Sequence, residues 1–236
     1  MKSIETDILI IGAGLSGLCL AYYLEKKKFK TSLVEARSRP GGRIYTNQGV
    51  GASIEMGATW MSPQHIELQQ LLGDLDLSIF EQELGQTAFY EAMPSAPHQI
   101  VELPKHQEPS YRIKGGSSLL INTLLSKLDN TNLELDCRVQ VIAQKESGLE
   151  VITNKGIYNA RIVVSTIPPF LFQKTIKTIP ALPSSYAVVA DKTHTWMGES
   201  IKIGLSYKEA FWKKNGLSGT IFSNSGPITE MYDHSN

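Results

Sequence analysis

The 236-residue sequence predicts an α/β protein: a parallel sheet flanked by helices, carrying a β-hairpin meander and interleaved with a small α+β region. Three observations lead there. An uncharged run from Ile8 to Leu24 opens apolar and is then broken by Gly12, Gly14 and Gly17. A second apolar run, Thr31 to Val34, ends on an acid, Glu35. Between Leu133 and Thr166 the hydrophobic period changes from helical to alternating, in four short runs separated by tight turns.

Ile8 to Ile11 is continuous and apolar, as suits the middle of a parallel sheet covered on both faces. In the Rossmann-like pattern that follows, Gly12 makes the tight turn, Gly14 admits a pyrophosphate to the backbone, and Gly17 lets the next helix pack close. Ala13, Leu15 and Ser16 complete that turn, and the helix start directs N–H groups at the anion. Leu18, Ala21 and Tyr22 fall on one face of the helix, and Lys26 to Lys28 form a solvated end where positive charge suits the dipole. A membrane span or signal peptide fits less well, because Glu5 and Asp7 precede a run interrupted by three glycines. Glu35 lies 18 residues beyond Gly17, close to where an acidic side chain meets adenosine ribose hydroxyls. Strand, glycine turn, helix, strand and acid together predict dinucleotide binding.

Composition narrows the partners. Apolar content of 42% supports a full core, and 23 basic residues cancel 23 acidic ones. Nothing in that balance draws nucleic acid or an anionic membrane, so partners should be small molecules. Cys19 and Cys137 read as packing residues of a protein from a reducing, cytoplasmic compartment. His65, His98, His106, His194 and His234 lack metal-ligand spacing, so no metal site is expected.

Further along, Pro63 opens a helix over Gln64 to Leu72, and Thr87 to Glu91 and Gln99 to Leu103 read as strands. Met93 to Pro109 holds four prolines and reads as an irregular connection. A helix over Ser117 to Leu128 follows Gly115-Gly116. Strands are expected at Leu133 to Asp136, Val139 to Lys145, Leu149 to Thr153 and Ile157 to Thr166, with Glu146-Ser-Gly148 and Asn154-Lys-Gly156 as hairpin turns. Beyond Pro168-Pro169, strands are expected at Ser200 to Tyr207 and Gly219 to Phe222.

Glu35-Ala36-Arg37, followed by Gly41-Gly42-Arg43, resembles the flavin-containing amine oxidases, the group that also includes monoamine, polyamine, L-amino-acid and protoporphyrinogen oxidases. Gly41 and Gly42 bring backbone near the cofactor, and Arg43 offers a planar fork to diphosphate oxygens. Nicotinamide enzymes need no such arginine, so the cofactor implied is FAD. Glu55-Met-Gly-Ala-Thr-Trp60 is similar to the family segment that runs past the flavin, which places Gly57, Ala58, Thr59 and Trp60 along it. By the same resemblance the backbone at Val139 meets adenine, and Thr166 lies on the adenosine side.

The resemblance also implies a candidate catalytic residue, Lys202, on a strand ahead of Phe211-Trp212, where the family's lysine holds a water near flavin N5. Alternation would turn Ile201 and Ile203 the opposite way. The reaction implied is hydride transfer from an amine carbon to flavin N5, hydrolysis of the iminium, and reoxidation by O2 with release of H2O2. The implied organisation is an FAD-binding domain in two parts, 1–77 and 110–173, and a substrate domain in two parts, 78–109 and 174–236. Two departures stand out. Only about thirty residues separate Leu77 from Tyr111, where the family inserts a long helical substrate region. The family's C-terminal flavin segment also has no counterpart, which suggests a truncated oxidase with exposed edges prone to self-association. An FAD-dependent desaturase or isomerase of an apolar substrate, or a cofactor-binding partner module, are the alternative readings.

Overall fold

The computed structural model describes residues 3–49, 53–83, 85–104, 108–195 and 198–235; His106 lies outside them. In chain order the elements are β1 (Ser3–Ile11), α1 (Leu15–Glu25), β2 (Thr31–Val34), β3 (Thr46–Gln48), β4 (Ser53–Glu55), α2 (Ile66–Asp74) and β5 (Ile79–Glu81). They continue with β6 (Thr87–Glu91), β7 (Gln99–Glu102), β8 (Tyr111–Ile113), α3 (Ser117–Leu125), β9 (Asn132–Glu134), β10 (Val139–Lys145), β11 (Gly148–Thr153) and β12 (Ile157–Ser165). The remainder is α4 (Pro169–Thr175), β13 (Lys177–Ile179), α5 (Ser184–Lys192), α6 (Phe211–Lys214), β14 (Ile221–Ser223) and β15 (Glu230–Met231).

The first of two compact units comprises residues 1–45 and 117–202. Its seven-stranded sheet has the order β13-β10-β11-β12-β1-β2-β9. β1 pairs in parallel with β2 and β12, and β10, β11 and β12 form the antiparallel meander. Leu9, Ile11, Val34, Val139, Val151 and Tyr158 share one core, so the meander strands pack with the ends of β1 and β2. α1 packs on β1, β2 and α3, burying Leu18, Ala21 and Tyr22 as the helical spacing predicts. Among the described residues no helix is long and apolar enough to cross a membrane.

β1 begins five residues before the apolar run. Ser3 and Glu5 are exposed, Ile4 half-buried and Thr6 buried, and the four pair with Ile157 to Ala160 of β12. Partner backbone extends the strand where side-chain pattern alone would stop it.

The second unit comprises residues 46–116 and 203–236. It holds a four-stranded sheet, β15-β14-β6-β7, and two small pairs, β3-β4 and β5-β8. Residues 46–77, grouped by the sequence reading with the cofactor domain, pack in this unit. The expected strand over Ser200 to Tyr207 is absent. Ile201 and Ile203 are 89% and 61% exposed, and no ladder forms on either side. The segment has strand-like alternation, but a strand also needs partner backbone to take its hydrogen bonds. Conversely, α4 and α5 form in a stretch to which the sequence pattern assigns no element, each opening directly after a proline.

Candidate functional site

In the first unit the two glycine motifs lie side by side. Gly12, at φ +101°, turns the chain out of β1, with its N–H on the Val34 carbonyl at 2.8 Å. A Cβ on Gly17 would stand 1.9 Å from the Gly12 carbonyl oxygen, so only glycine lets α1 approach the turn this closely. Gly14, the α1 N-cap, is the opposite case: a Cβ there meets nothing within 4 Å. The first turn of α1 therefore opens into space at the residue that should admit a pyrophosphate, as an anion site requires. Leu15 is half-buried and Ser16 exposed beside it. The Thr166 hydroxyl donates to the Ile11 and Gly12 carbonyls, both at 3.0 Å, so Thr166 braces the glycine turn.

The second motif joins the first through backbone. The Gly41 N–H donates to the Ala13 carbonyl at 2.8 Å, and a Cβ on Gly42 would lie 3.2 Å from the Gly14 Cα. Both glycines have positive φ. Arg39, not singled out by sequence reasoning, braces this loop. Its guanidinium donates to the carbonyls of Pro40 (3.1 Å), Ile44 (3.3 Å) and Gly42 (3.0 Å), and stacks 4.7 Å from the Tyr45 ring centroid. The signal available was an arginine two residues before Gly41-Gly42, a fork able to bind several carbonyls at once. Arg43 is exposed.

Glu35 is 8% exposed at the end of β2. Its carboxylate accepts the Ala13 N–H at 2.8 Å and the Arg37 N–H at 2.9 Å, linking the strand end to the glycine turn. Ala36 and Arg37 are exposed beside it, and Val139 is buried at the start of β10. Gly12, Ala13, Gly14, Gly17, Glu35, Gly41, Gly42 and Thr166 are thus brought together. The residues present fit a dinucleotide: an open glycine at a helix start, a second glycine loop against it, and a buried acid at the neighbouring strand end.

Gly57, Ala58, Thr59 and Trp60 belong to the second unit. Trp60 is 42% exposed and stands edge-on to Tyr232, with ring centroids 4.9 Å apart; Tyr232 in turn meets Phe222 at 6.1 Å. Burial, then the bond to Glu230, pushes the Tyr232 phenol up to about 12. Lys202 is exposed in a segment that joins no strand ladder, so the strand geometry expected for it is not formed. Tyr207, Phe211 and Trp212 do meet, pairwise edge-to-face at 5.1 to 5.9 Å.

This unit also buries charge that sequence reading missed. Arg112, 5% exposed, donates to Gln82 Oε1 at 3.0 Å, and burial pulls its guanidinium below the ordinary value against the opposing pull of Glu55 and Asp233. Glu55 is 4% exposed and accepts the Thr46 hydroxyl at 3.0 Å. Burial acts to raise the Asp233 carboxyl, but bonds from Ser235 and from Lys213, at 2.9 Å, outweigh it and hold it below the usual range. A carboxyl lowered in the fold binds its proton less readily than in the unfolded chain. The unfolded chain therefore takes up more protons as pH falls below about 4, and stability drops through the folded pKa. Asp233→Asn should flatten the acid limb of melting temperature between pH 5 and pH 3, while leaving Arg112 with one carboxylate fewer at neutral pH.

A recess of about 250 Å³ beside Ile4, Glu134, Lys155, Gly156 and Tyr158, and one of about 140 Å³ lined by residues of α4 and α5, include no residue of the glycine loops.

Fold and glycine loops together define a dinucleotide-binding protein of the Rossmann-like class. The sequence matches the family described as flavin containing amine oxidoreductase over residues 15–90 and 85–234. It is 22% identical, over an alignment 342 positions long, to a putrescine oxidase of Kocuria rosea, covering 99% of this chain and 71% of that protein. A polyamine oxidase of Oryza sativa is 33% identical over 87 residues, 36% of this chain and 18% of its own length. Among solved structures, putrescine oxidase bound to putrescine superposes with a TM-score of 0.81 at 20% identity, covering all of this chain and 73% of the other. Cyclohexylamine oxidase from Brevibacterium oxydans gives 0.74 at 17%, covering 96% and 74%. The chain belongs to the flavin-containing amine oxidoreductase family, whose cofactor is FAD.

Proposed function

We propose that the chain is an FAD-dependent oxidoreductase that oxidises a small amine, with O2 as the electron acceptor. The observation that carries this reading is the double glycine cradle: Gly14 open, Gly42 against it, and Glu35 bonded to the same turn. In it, residues 12–17 and Gly41 to Arg43 hold the diphosphate, while Glu35 to Arg37, Val139 and Thr166 serve the adenosine half. Gly57 to Trp60 run along the flavin. Bound FAD supplies the hydride acceptor; the protein's part is to orient the amine and hold it neutral, since a protonated amine has no lone pair to drive hydride loss. The relatives named for putrescine and polyamines support an amine substrate.

The test adds FAD to purified chain, follows its visible absorbance, and then adds putrescine under anaerobic conditions. Bleaching of the flavin, followed on aeration by recovery and peroxide, is the expected result; a correctly folded chain that retains no flavin absorbance after gel filtration from excess FAD removes the proposal. Lys202 enters on its order before Phe211-Trp212, as a group that orients water. Lys202→Met should slow turnover at least tenfold, a modest share of what positioned polar groups supply. Unchanged reductive and oxidative half-reactions would take it out of the mechanism. Edge strands such as β7, where Ile100 is 63% exposed, make self-association part of the same proposal.

A further inference from the structure

The hairpin turn between β11 and β12 does more than reverse the chain. Thr153 holds its shape: the hydroxyl donates to the Gly156 carbonyl at 2.8 Å and accepts the N–H groups of Lys155 and Gly156 at 3.1 and 3.0 Å. From this rigid base Asn154 and Lys155 reach the link between β9 and β10. Asn154 Oδ1 accepts the Arg138 N–H at 2.6 Å, its Nδ2 donates to the Asp136 carbonyl at 2.9 Å, and its own N–H donates to the Arg138 carbonyl at 3.1 Å. Lys155 Nζ donates to the Leu135 carbonyl at 2.6 Å and pairs with Glu134 Oε1 at 2.5 Å.

That link is bonded in turn to the segment after β2. The Asp136 N–H donates to the Arg37 carbonyl at 2.9 Å, the Cys137 N–H to the Glu35 carbonyl at 2.8 Å, and the Glu35 N–H to the Glu134 carbonyl at 3.0 Å. Asp136 sits at φ +53°, a left-handed conformation that aspartate tolerates better than most side chains, and its own N–H bond to Arg37 lies within this link. Glu35 and Val139 thus stand at the two ends of one hydrogen-bonded assembly, and the turn grips its middle.

Resting on the FAD reading above, we infer that the Asn154-Lys155-Gly156 turn is a positioning clasp for the adenosine end of the cofactor, with Asn154 setting where Val139 stands relative to Glu35. Asn154 touches no part of the cofactor in this role; it acts through the 134–138 link.

The test titrates ADP and FAD into the full chain by calorimetry, for wild type, Asn154→Ala, Asn154→Asp and Lys155→Met, with a ligand-free melting curve for each. Asn154→Ala should weaken ADP and FAD by the same factor, about fivefold, as expected for losing exposed hydrogen bonds of ordinary net strength. The visible spectrum of the FAD that still binds should keep its wild-type shape, because the flavin end is not disturbed. Asn154→Asp keeps the acceptor for Arg138 and loses the donor to Asp136, so it should fall between. Wild-type ADP affinity in folded Asn154→Ala overturns the clasp, and so do losses that merely follow melting temperature across the variants. Should Asn154→Ala not fold, Lys155→Met carries the same comparison, with weaker ADP binding expected and unchanged affinity decisive against. A wild-type chain that binds neither ADP nor FAD removes the cofactor reading and the clasp with it. One that loses ADP on Glu35→Ala but keeps it on Asn154→Ala sinks the clasp alone.

Discussion

Gly17→Ala should yield a chain that no longer retains FAD and melts well below wild type. The added methyl would stand 1.9 Å from the Gly12 carbonyl oxygen, 3.1 Å from the Gly12 carbonyl carbon and 3.0 Å from Thr166 Oγ1. Two of those three atoms are backbone, and the Gly12 turn is fixed by its N–H on Val34 and by the Thr166 hydroxyl on its carbonyl. Nothing flexible can yield, so α1 must move off the turn. Overpacking of this kind costs about 1–3 kcal/mol or more, and the helix start moves with it. Loss of a positioned helix terminus should lower FAD affinity at least about a hundredfold, since aligned N–H groups and dipole act only at close range. Gly14→Ala is the control. Its Cβ enters open space at φ −73° and ψ 178°, ordinary for alanine, so its ligand-free melting temperature should be near wild type while FAD binding falls. Visible absorbance after gel filtration, alongside melting curves, separates the two variants. Wild-type flavin retention in Gly17→Ala would mean that the helix start is not the diphosphate site.

Glu35→Ala should have the next largest effect. The buried carboxylate serves Ala13 and Arg37 and stands where ribose hydroxyls are expected. Its removal strands two N–H groups and deletes a charge-assisted acceptor, each worth roughly 1.5–3 kcal/mol, so FAD affinity should fall about a hundredfold. Glu35→Gln keeps one oxygen acceptor and should lose about tenfold. FMN, which lacks the adenosine half, should bind both variants as it binds wild type. If FMN binding falls in step with FAD, Glu35 supports the fold rather than the ribose, and the site assignment at β2 fails.

Much of the first unit was legible because its signals are local. Glycines at 12, 14 and 17 report backbone shape directly, and Ile8 to Ile11 and Val139 to Lys145 carry strand patterns within their own residues. Glu35 was legible by its distance from Gly17. Residues acting through contacts distant in sequence were not. Arg39 looks like any charged residue in a loop until its three carbonyl partners are in place. Asn154 reads as turn chemistry, although its partners Asp136 and Arg138 lie 18 and 16 residues away. The Arg112, Glu55 and Asp233 cluster joins three segments with no common motif.

The strand expected around Lys202 illustrates the opposite error. Ile201, Ile203, Leu205 and Tyr207 alternate as a strand should, yet all four are more than half exposed and none sits in a ladder. Alternation records which side chains could share a face, while a strand exists only where another backbone accepts its hydrogen bonds.

By itself, then, the sequence determined the Rossmann-like start, the meander and the expectation of a dinucleotide, because glycine conformations and hydrophobic periods are properties of short stretches. Tertiary structure alone decided that β1 extends to Ser3, that the two glycine loops touch at Gly14 and Gly42, and that the turn at Asn154 reaches the Glu35 segment. Those outcomes depend on which backbone groups meet across the fold, and pairing between distant segments leaves no periodic trace in either one.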